Sequence, residues 1–357
     1  MTRRYVVIGA GAVGGALAAD LLLAGIPAVL SARGAALDAI RARGLVRVTP
    51  AGRRTVPVPV VGGPAETELT PDDVLLLATK AQDAQATLAD WAWRPTGDGG
   101  LAADLPVITL QNGLDAERVA ARWFGNVIGA TVLVPARHLG PGEVLTAAAP
   151  RAGQLLVGGL PFPARPAPPD PAAVAFVEDA DAAGWLAQGV PDASRWKAWK
   201  LLHNVTNAVE LFTGAPEELA AVGRRATAEA RTVLTAAGHT VADPETERTY
   251  DPALATIVPG SGHVQGQQST WQSFERGASS EVDFLNGEIS LLGRLHGVPT
   301  PVNSALQRVL GVSASAGEKP GSRDIAEVLH TIAALAGTSA PTEENTTPTQ
   351  PTGAARS

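Results

Sequence analysis

The chain opens on an apolar run, Tyr5-Val6-Val7-Ile8, that ends in glycine and gives way to an Ala/Leu-rich stretch, Ala12 to Ala24, closed by Gly25. The β-branched run predicts a strand and the helical recurrence of apolar positions predicts a helix. Gly25 stands where a helix C-terminus favours glycine. Ala28 to Leu30 then reads as a second buried strand and Ala35 to Arg41 as a short helix. Two later runs, Val74 to Ala78 and Val107 to Leu110, repeat the pattern. Each is followed by a polar turn and a helix-like segment, Ala81 to Trp93 and Ala116 to Phe124. Continuous apolar strands alternating with helices predict a parallel, doubly wound sheet of Rossmann type.

From Val127 to Gly159 the pattern alternates and is punctuated by turns, with Gly140-Pro141-Gly142 the tightest, which predicts antiparallel strands finishing the first domain. A proline-dense stretch from Pro161 to Pro171 and one further helix (Ala172 to Ala182) follow, and then the strand signals stop. From about Asp192 the periodicity is helical, in segments at Trp196 to Phe212, Glu217 to Ala237, Glu281 to His296 and Pro301 to Leu310. The expected architecture is therefore an α/β Rossmann-type domain over 1–190 and an all-α domain over 191–335. Residues 336–357, rich in Thr, Pro, Ser, Glu and Gln, are expected to form a disordered tail.

Composition narrows the chemistry. A length of 357 residues, 45% hydrophobic and 18% charged, suits a two-domain globular protein, and the net charge of −7 supplies no general positive field for nucleic acid. Arg3, Arg4 and the apolar stretch after them imitate a secretory signal. Spaced glycines and Asp20 interrupt that stretch, however, and no other segment is long enough to span a membrane, so a cytoplasmic protein without membrane association is expected. Cysteine is absent, which excludes thiolate nucleophiles and disulfides, and the six histidines show no ligand spacing, so no metal site is expected. Lysine occurs only four times, at positions 80, 197, 200 and 319, among 28 basic residues, which singles those four out.

Gly9-Ala10-Gly11-Ala12-Val13-Gly14 fits GxGxxG between a predicted strand and a predicted helix. The first glycine allows the turn, the second lets backbone approach a pyrophosphate, and the third lets helix pack on strand. The helix N-terminus offers N–H groups and a positive dipole end to the phosphates. Where an NAD site carries an acid at the end of the second strand, this chain reads Ser31-Ala32-Arg33, and a guanidinium there can pair with a 2′-phosphate. NADP is therefore favoured, a solvated loop arginine being the plainer alternative. Thr79-Lys80 and Gln111-Asn112-Gly113 both end strands at the carboxyl edge where such sheets bind ligands, which makes Lys80 and Asn112 candidate cofactor contacts, Asn112 reaching substrate as well.

In the second domain Lys200 and Asn204 lie one helical turn apart, with Asn207 on a neighbouring face and Lys197 beside them. Ser269-Thr270-Trp271-Gln272-Ser273 and Ser280-Glu281-Val282-Asp283-Phe284-Leu285-Asn286-Gly287 follow. Together with the N-terminal glycines, Lys80-Ala81, Gln111-Asn112-Gly113 and the Lys200 helix, these resemble the ketopantoate reductase (2-dehydropantoate 2-reductase) family, in the same order over roughly residues 4 to 312.

The resemblance implies NADPH held by Gly9 to Gly14 with Lys80, Asn112, Ala136 and Glu281 around it. It implies Lys200 as proton donor, with Glu281 as the second member of the catalytic set, Lys200, Asn204 and Ser269 as substrate contacts, and a small 2-oxo acid as substrate, ketopantoate first. Asn207 is a further candidate substrate contact. A homodimer is allowed for. Two departures stand out. The family's second substrate asparagine falls eight residues after the lysine, where this chain has Ala208, Asn207 coming one residue early. Its common acid four residues after the serine is here Ser273, beside the bulky Trp271. The alternatives are a relative acting on another 2-oxo acid or ketone, and a non-catalytic NADP-binding sensor or interaction protein.

Overall fold

The computed structural model describes residues 3–160, 169–277 and 280–337. Most of the proline-dense stretch and the tail from 338 onward lie outside the described residues. The first half runs β1 (Arg4–Ile8), α1 (Ala12–Leu23), β2 (Ala28–Ser31), α2 (Gly34–Arg43), β3 (Leu45–Thr49), β4 (Gly52–Val56), β5 (Val60–Val61) and β6 (Asp73–Leu77). It continues with α3 (Ala81–Ala92), β7 (Val107–Thr109), α4 (Asp115–Ala120), β8 (Val127–Leu133), β9 (Ala136–Gly140), β10 (Glu143–Thr146) and β11 (Ala148–Pro150). β12 (Gln154–Gly158), α5 (Pro171–Ala182) and β13 (Leu186–Val190) complete it.

One sheet has the order β13-β12-β8-β7-β6-β1-β2-β5 and is parallel throughout except where β12 meets β8. Strand order reverses between β1 and β6, so the loops after these two strands flank the switch point where open α/β sheets bind ligands. The Rossmann-type reading of the sheet holds, with three corrections. β3, β4 and β5 fall where no strand was expected, because Arg47 interrupts the apolar pattern of β3, Arg53 and Arg54 that of β4, and β5 is only two residues long. Strand signals do not stop at residue 182 either: β13 is a polar-looking edge strand, Leu-Ala-Gln-Gly-Val, that needs only its two ends buried. The expected antiparallel segment also divides, its first and last strands joining the main sheet while β9 and β10 join β3 and β4 in a second sheet, β4-β3-β10-β9.

That second sheet explains the signal-like N-terminus. α1 packs between the main sheet on one side and β3, β9 and β10 on the other, so Gly14 to Leu21 are buried all round and the sequence has no polar face. Its one acid, Asp20, accepts a bidentate pair from buried Arg47 of β3 at 2.8 and 2.9 Å and a bond from Trp185 Nε1 at 3.1 Å. Burial nevertheless holds the Asp20 carboxyl above its ordinary pKa, against the pull of Arg47.

The helical part comprises α6 (Ala193–Asn204), α7 (Pro216–Ala236), α8 (Pro244–Glu247), α9 (Ser269–Glu275), α10 (Val282–His296), α11 (Pro301–Ser315) and α12 (Ile325–Gly337). It has its own core, in which Leu201, Val205, Val222, Ala230, Ile289, Leu306 and Ile325 are buried together. The expected helix from 196 to 212 is corrected: α-geometry ends at Asn204, and Val205–Leu211 is a 3-10 helix. Buried Asn286 donates to the Val205 carbonyl at 3.0 Å and to Asn303 Oδ1 at 3.0 Å, fixing this junction against α10 and α11.

Candidate functional site

The glycine turn between β1 and α1 has the shape a dinucleotide needs. Gly9 has φ +119°, and a Cβ on it would press on the backbone of Ala78 and Thr79 at 2.9 Å. A Cβ on Gly14 would collide with the Gly9 carbonyl oxygen and lie 2.7 Å from Ala78 Cβ. Gly11 is different: a Cβ there meets nothing within 4 Å, so the turn is closed against β6 at Gly9 and Gly14 and open at Gly11. Gly11 is also the N-cap of α1 and provides no side-chain cap, which leaves the first-turn N–H groups of a 12-residue helix for a ligand or solvent. Beside the turn, Thr79 Oγ1 and Gln111 Oε1 are buried without a hydrogen-bond partner. A cradle open at the second glycine, uncapped helix donors and two orphaned oxygens on one rim fit a bound dinucleotide.

The rest of the site gathers across the two domains. Lys80, the N-cap of α3, forms an ion pair with Glu281, the N-cap of α10, so residues 201 positions apart join one helix start to another. Glu281 is 3% exposed, while the Lys80 side chain keeps about a third of its surface. Gly113 belongs to the same joint, because a Cβ there would lie 2.6 Å from the Phe284 carbonyl oxygen; the turn approaches α10 through a residue with φ +83°.

Lys200, from α6, reaches back to the Rossmann sheet. Its Nζ donates to Asn112 Oδ1 at 2.6 Å and to the Val132 carbonyl oxygen of β8. An ammonium has three protons, so one N–H of Lys200 has no partner among the described residues. Asn112, its Oδ1 occupied, keeps its Nδ2 protons for another acceptor. Burial pushes the Lys200 pKa down from 10.5 to about 7. Lys197 and Lys80 push the same way, and Glu281 opposes them.

The asparagines are rearranged in an informative way. In an α-helix Asn207 would stand about 100° from the position four residues beyond Asn204. A 3-10 helix has three residues per turn, so residues i and i+3 eclipse. The switch at Asn204 therefore places Asn207 over Asn204, while Ala208 turns into the helical core at 1% exposure. Asn204 and Asn207 are 7% and 3% exposed, and neither side chain hydrogen-bonds another described residue. Neither amide is among the fully buried unpaired groups, so their polar tips stay open to a ligand or water.

The remaining candidates sit further out. Ser269 opens α9, which packs on the 205–211 segment, and its carbonyl accepts the Ser273 hydroxyl at 3.0 Å. Ser273, where an acid was expected, is thus a sealed neutral group at 1% exposure. Trp271 packs on the helical core. Ala136 opens β9, half-buried. Arg33 caps α2 as an exposed guanidinium whose one ion pair, to Asp90 at 3.3 Å, is also exposed. Such a pair holds a side chain weakly. The sequence shows Gln111 only as part of its turn, with no role of its own; its Nε2 donates to the Leu77 and Thr79 carbonyls at 2.9 Å, and the Val132 carbonyl, as a main-chain acceptor, leaves no residue signature. Among the described residues no group of His, Asp or Glu is placed to hold a metal ion, and no helix is long and apolar enough to cross a membrane.

Comparison with known proteins places this geometry. Residues 5–160 match the family described as ketopantoate reductase PanE/ApbA, and residues 194–313 match its C-terminal family model. A 2-dehydropantoate 2-reductase of Mesorhizobium japonicum is 28% identical over 328 residues, covering 85% of this chain and 95% of the relative. One of Archaeoglobus fulgidus is 25% identical with the same coverage. Among solved structures, a PanE/ApbA family ketopantoate reductase from Ralstonia eutropha superposes with TM-score 0.69 at 24% identity, covering 88% of this chain and 99% of that one. D-mandelate dehydrogenase with NADH and anilino(oxo)acetate superposes with TM-score 0.68 at 20% identity and the same coverage. At these identities the solved structures speak for the fold.

Proposed function

The chain belongs to the ketopantoate reductase family, and from that premise we propose that it reduces a small 2-oxo acid with NADPH, ketopantoate to pantoate being the leading pair. The family consists of oxidoreductases acting on the CH–OH/C=O pair. The observation that carries the reading is Lys200: a lysine of ordinary type brought to a pKa of about 7, held by two acceptors, with its third N–H unclaimed.

The glycine turn, the α1 N-terminus, Lys80, Asn112, Ala136 and Glu281 would hold the cofactor, which when bound supplies hydride to the carbonyl carbon. Lys200 donates its free N–H to the substrate carbonyl oxygen, stabilises the negative charge that gathers there, and transfers the proton, so that ketone becomes alcohol and Lys200 is left neutral. Asn204, Asn207 and Ser269 hold the substrate's carboxylate and hydroxyl without titrating. Glu281 fixes Lys80 and keeps a negative charge near Lys200, which helps the lysine retain its proton at neutral pH.

The direct test is loss of NADPH absorbance on adding ketopantoate, run in parallel with NADH and with a panel of other 2-oxo acids, an aryl 2-oxo acid among them. Turnover of ketopantoate with NADPH supports the reading. Turnover of only another 2-oxo acid moves the protein to a second reading, a same-family reductase of different specificity, which the displaced Asn207 favours. Arg33→Ala should reduce the preference for NADPH over NADH by about 10- to 100-fold, the worth of one charge-assisted phosphate contact, with NADH kinetics unchanged. Asn207→Ala should raise KM by about tenfold or more with kcat nearly kept, as Asn204→Ala should, because each removes one substrate hydrogen bond. An Asn207 variant with wild-type KM would show that the 3-10 turn does not carry a substrate contact.

A further inference from the structure

Lys197 stands three residues before Lys200 on α6, and the two side chains leave the helix on adjacent faces. Lys197 is 3% exposed. Its Nζ donates to the Gln111 carbonyl at 2.8 Å and pairs with Glu117 Oε1 of α4 at 2.5 Å. Glu117, 4% exposed, also accepts the hydroxyl of Thr109, at the end of β7, at 2.5 Å. The next residue after Gln111 is Asn112, whose Oδ1 holds Lys200. Two lysines of one helix thus grip two consecutive residues of one turn, Lys197 by the main chain and Lys200 by the side chain. Gly129 of β8 makes the approach possible: a Cβ there would lie 2.9 Å from Ala193 Cβ and 3.6 Å from Lys197 Cε.

We propose that Lys197 is a positioning residue for the proton transfer, with Glu117 as its anchor: it locks the Gln111-Asn112 turn onto α6 so that Lys200 and Asn112 face the substrate in one fixed geometry. The inference rests on Lys200 being the proton donor. A buried ion pair is a costly way to hold two elements together compared with apolar packing, but it defines position and charge in a way packing does not. Its charge also acts. The groups facing Lys200 are Lys197 on its own helix, Lys80 from the start of α3 and Glu281 from the start of α10, alongside the neutral Asn112 side chain and the β8 carbonyl. Lys197 and Lys80 favour loss of the Lys200 proton and Glu281 favours its retention. The Lys197 charge cannot move away, because Glu117 and the Gln111 carbonyl hold it.

The test uses the full-length chain with Lys197→Met, Lys197→Arg and the double variant Lys197→Met/Glu117→Gln, which leaves no unpaired buried carboxylate if the single change impairs folding. Two readouts are taken as functions of pH: kcat, and the rate of Lys200 acylation followed by mass spectrometry. Removing the Lys197 charge should lower the kcat plateau by about tenfold or more with KM nearly kept, and should move both midpoints to higher pH. Lys197→Arg should return the midpoints toward wild type. A folded charge-removed variant with wild-type midpoints and plateau overturns the proposal, as does a loss of kcat matched by equal losses in melting temperature and NADPH affinity. The acylation midpoint needs no substrate, so it still tests the action of Lys197 on Lys200 if no 2-oxo acid is turned over, an outcome that would instead defeat the functional reading.

Discussion

Lys200→Ala is expected to lower kcat by about 10²- to 10⁴-fold, the usual worth of a positioned general acid, while NADPH affinity and melting temperature stay near wild type. The reason lies in the bonds Lys200 makes. Its partners are one half-buried side chain, Asn112, and one main-chain carbonyl, that of Val132, so little of the fold is expected to depend on it. The transition state depends on it heavily, because a proton must reach the developing alkoxide. The pH profile is the stricter check. With its pKa lowered from 10.5 to about 7, Lys200 carries its proton below about pH 7 and loses it as pH rises through that value. Reduction should therefore be fastest on the acid side and fall about tenfold per pH unit above the midpoint, while oxidation of the product, which needs neutral Lys200 as base, should show the opposite limb. An active Lys200→Ala enzyme, or a profile flat from pH 6 to about 9, would remove Lys200 from the proton transfer.

Much of this site was legible in the sequence, and the parts that were not share a cause. Gly9 and Gly14 could be read because each answers a local backbone demand, and Gly11 because of its spacing between them. Lys80 and Asn112 could be picked out because they are rare or polar residues at the ends of apolar runs, and Lys200 because lysine is rare in this chain and Asn204 stands one helical turn further on. What no local pattern carries is pairing across the domains. That Lys80 meets Glu281, or that Lys197 meets Glu117 and the Gln111 carbonyl, follows only from how α6 and α10 lie on the sheet. Glu117, in the first turn of α4, reads in sequence as an ordinary acid favoured by the helix dipole. The shift from α to 3-10 geometry at Asn204 was likewise hidden: the residues suit either helix, and the choice is made by Asn286 bonding the Val205 carbonyl from another helix. A displacement of one residue in the sequence thus becomes an alignment in space. The missed strands have a related explanation, since Arg47 sits in an interior strand only because Asp20 and Thr146 receive its guanidinium.

Two glycine variants should separate cofactor binding from folding. Gly11→Ala places a methyl group where the protein offers nothing within 4 Å, at a backbone conformation of φ −75°, ψ −171° that any residue adopts. Its melting temperature should match wild type within about a degree, since no contact is made or lost. If the pyrophosphate rests against this turn, the methyl group occupies its place, and NADPH affinity should fall by about tenfold or more. Gly14→Ala instead drives a methyl group into the Gly9 carbonyl and against Ala78, so the turn and the end of β6 must move apart. A cost of about 1–3 kcal/mol is expected for such overpacking, and cofactor affinity should fall with it because the Gly9 turn is displaced. Calorimetry and NADPH titration on the two proteins give the discriminating pair: one variant stable and weakened in binding, the other less stable and weakened in binding. A Gly11→Ala protein that binds NADPH like wild type would show that the phosphates do not approach the backbone at the open glycine, and the cofactor would have to be placed elsewhere on the rim.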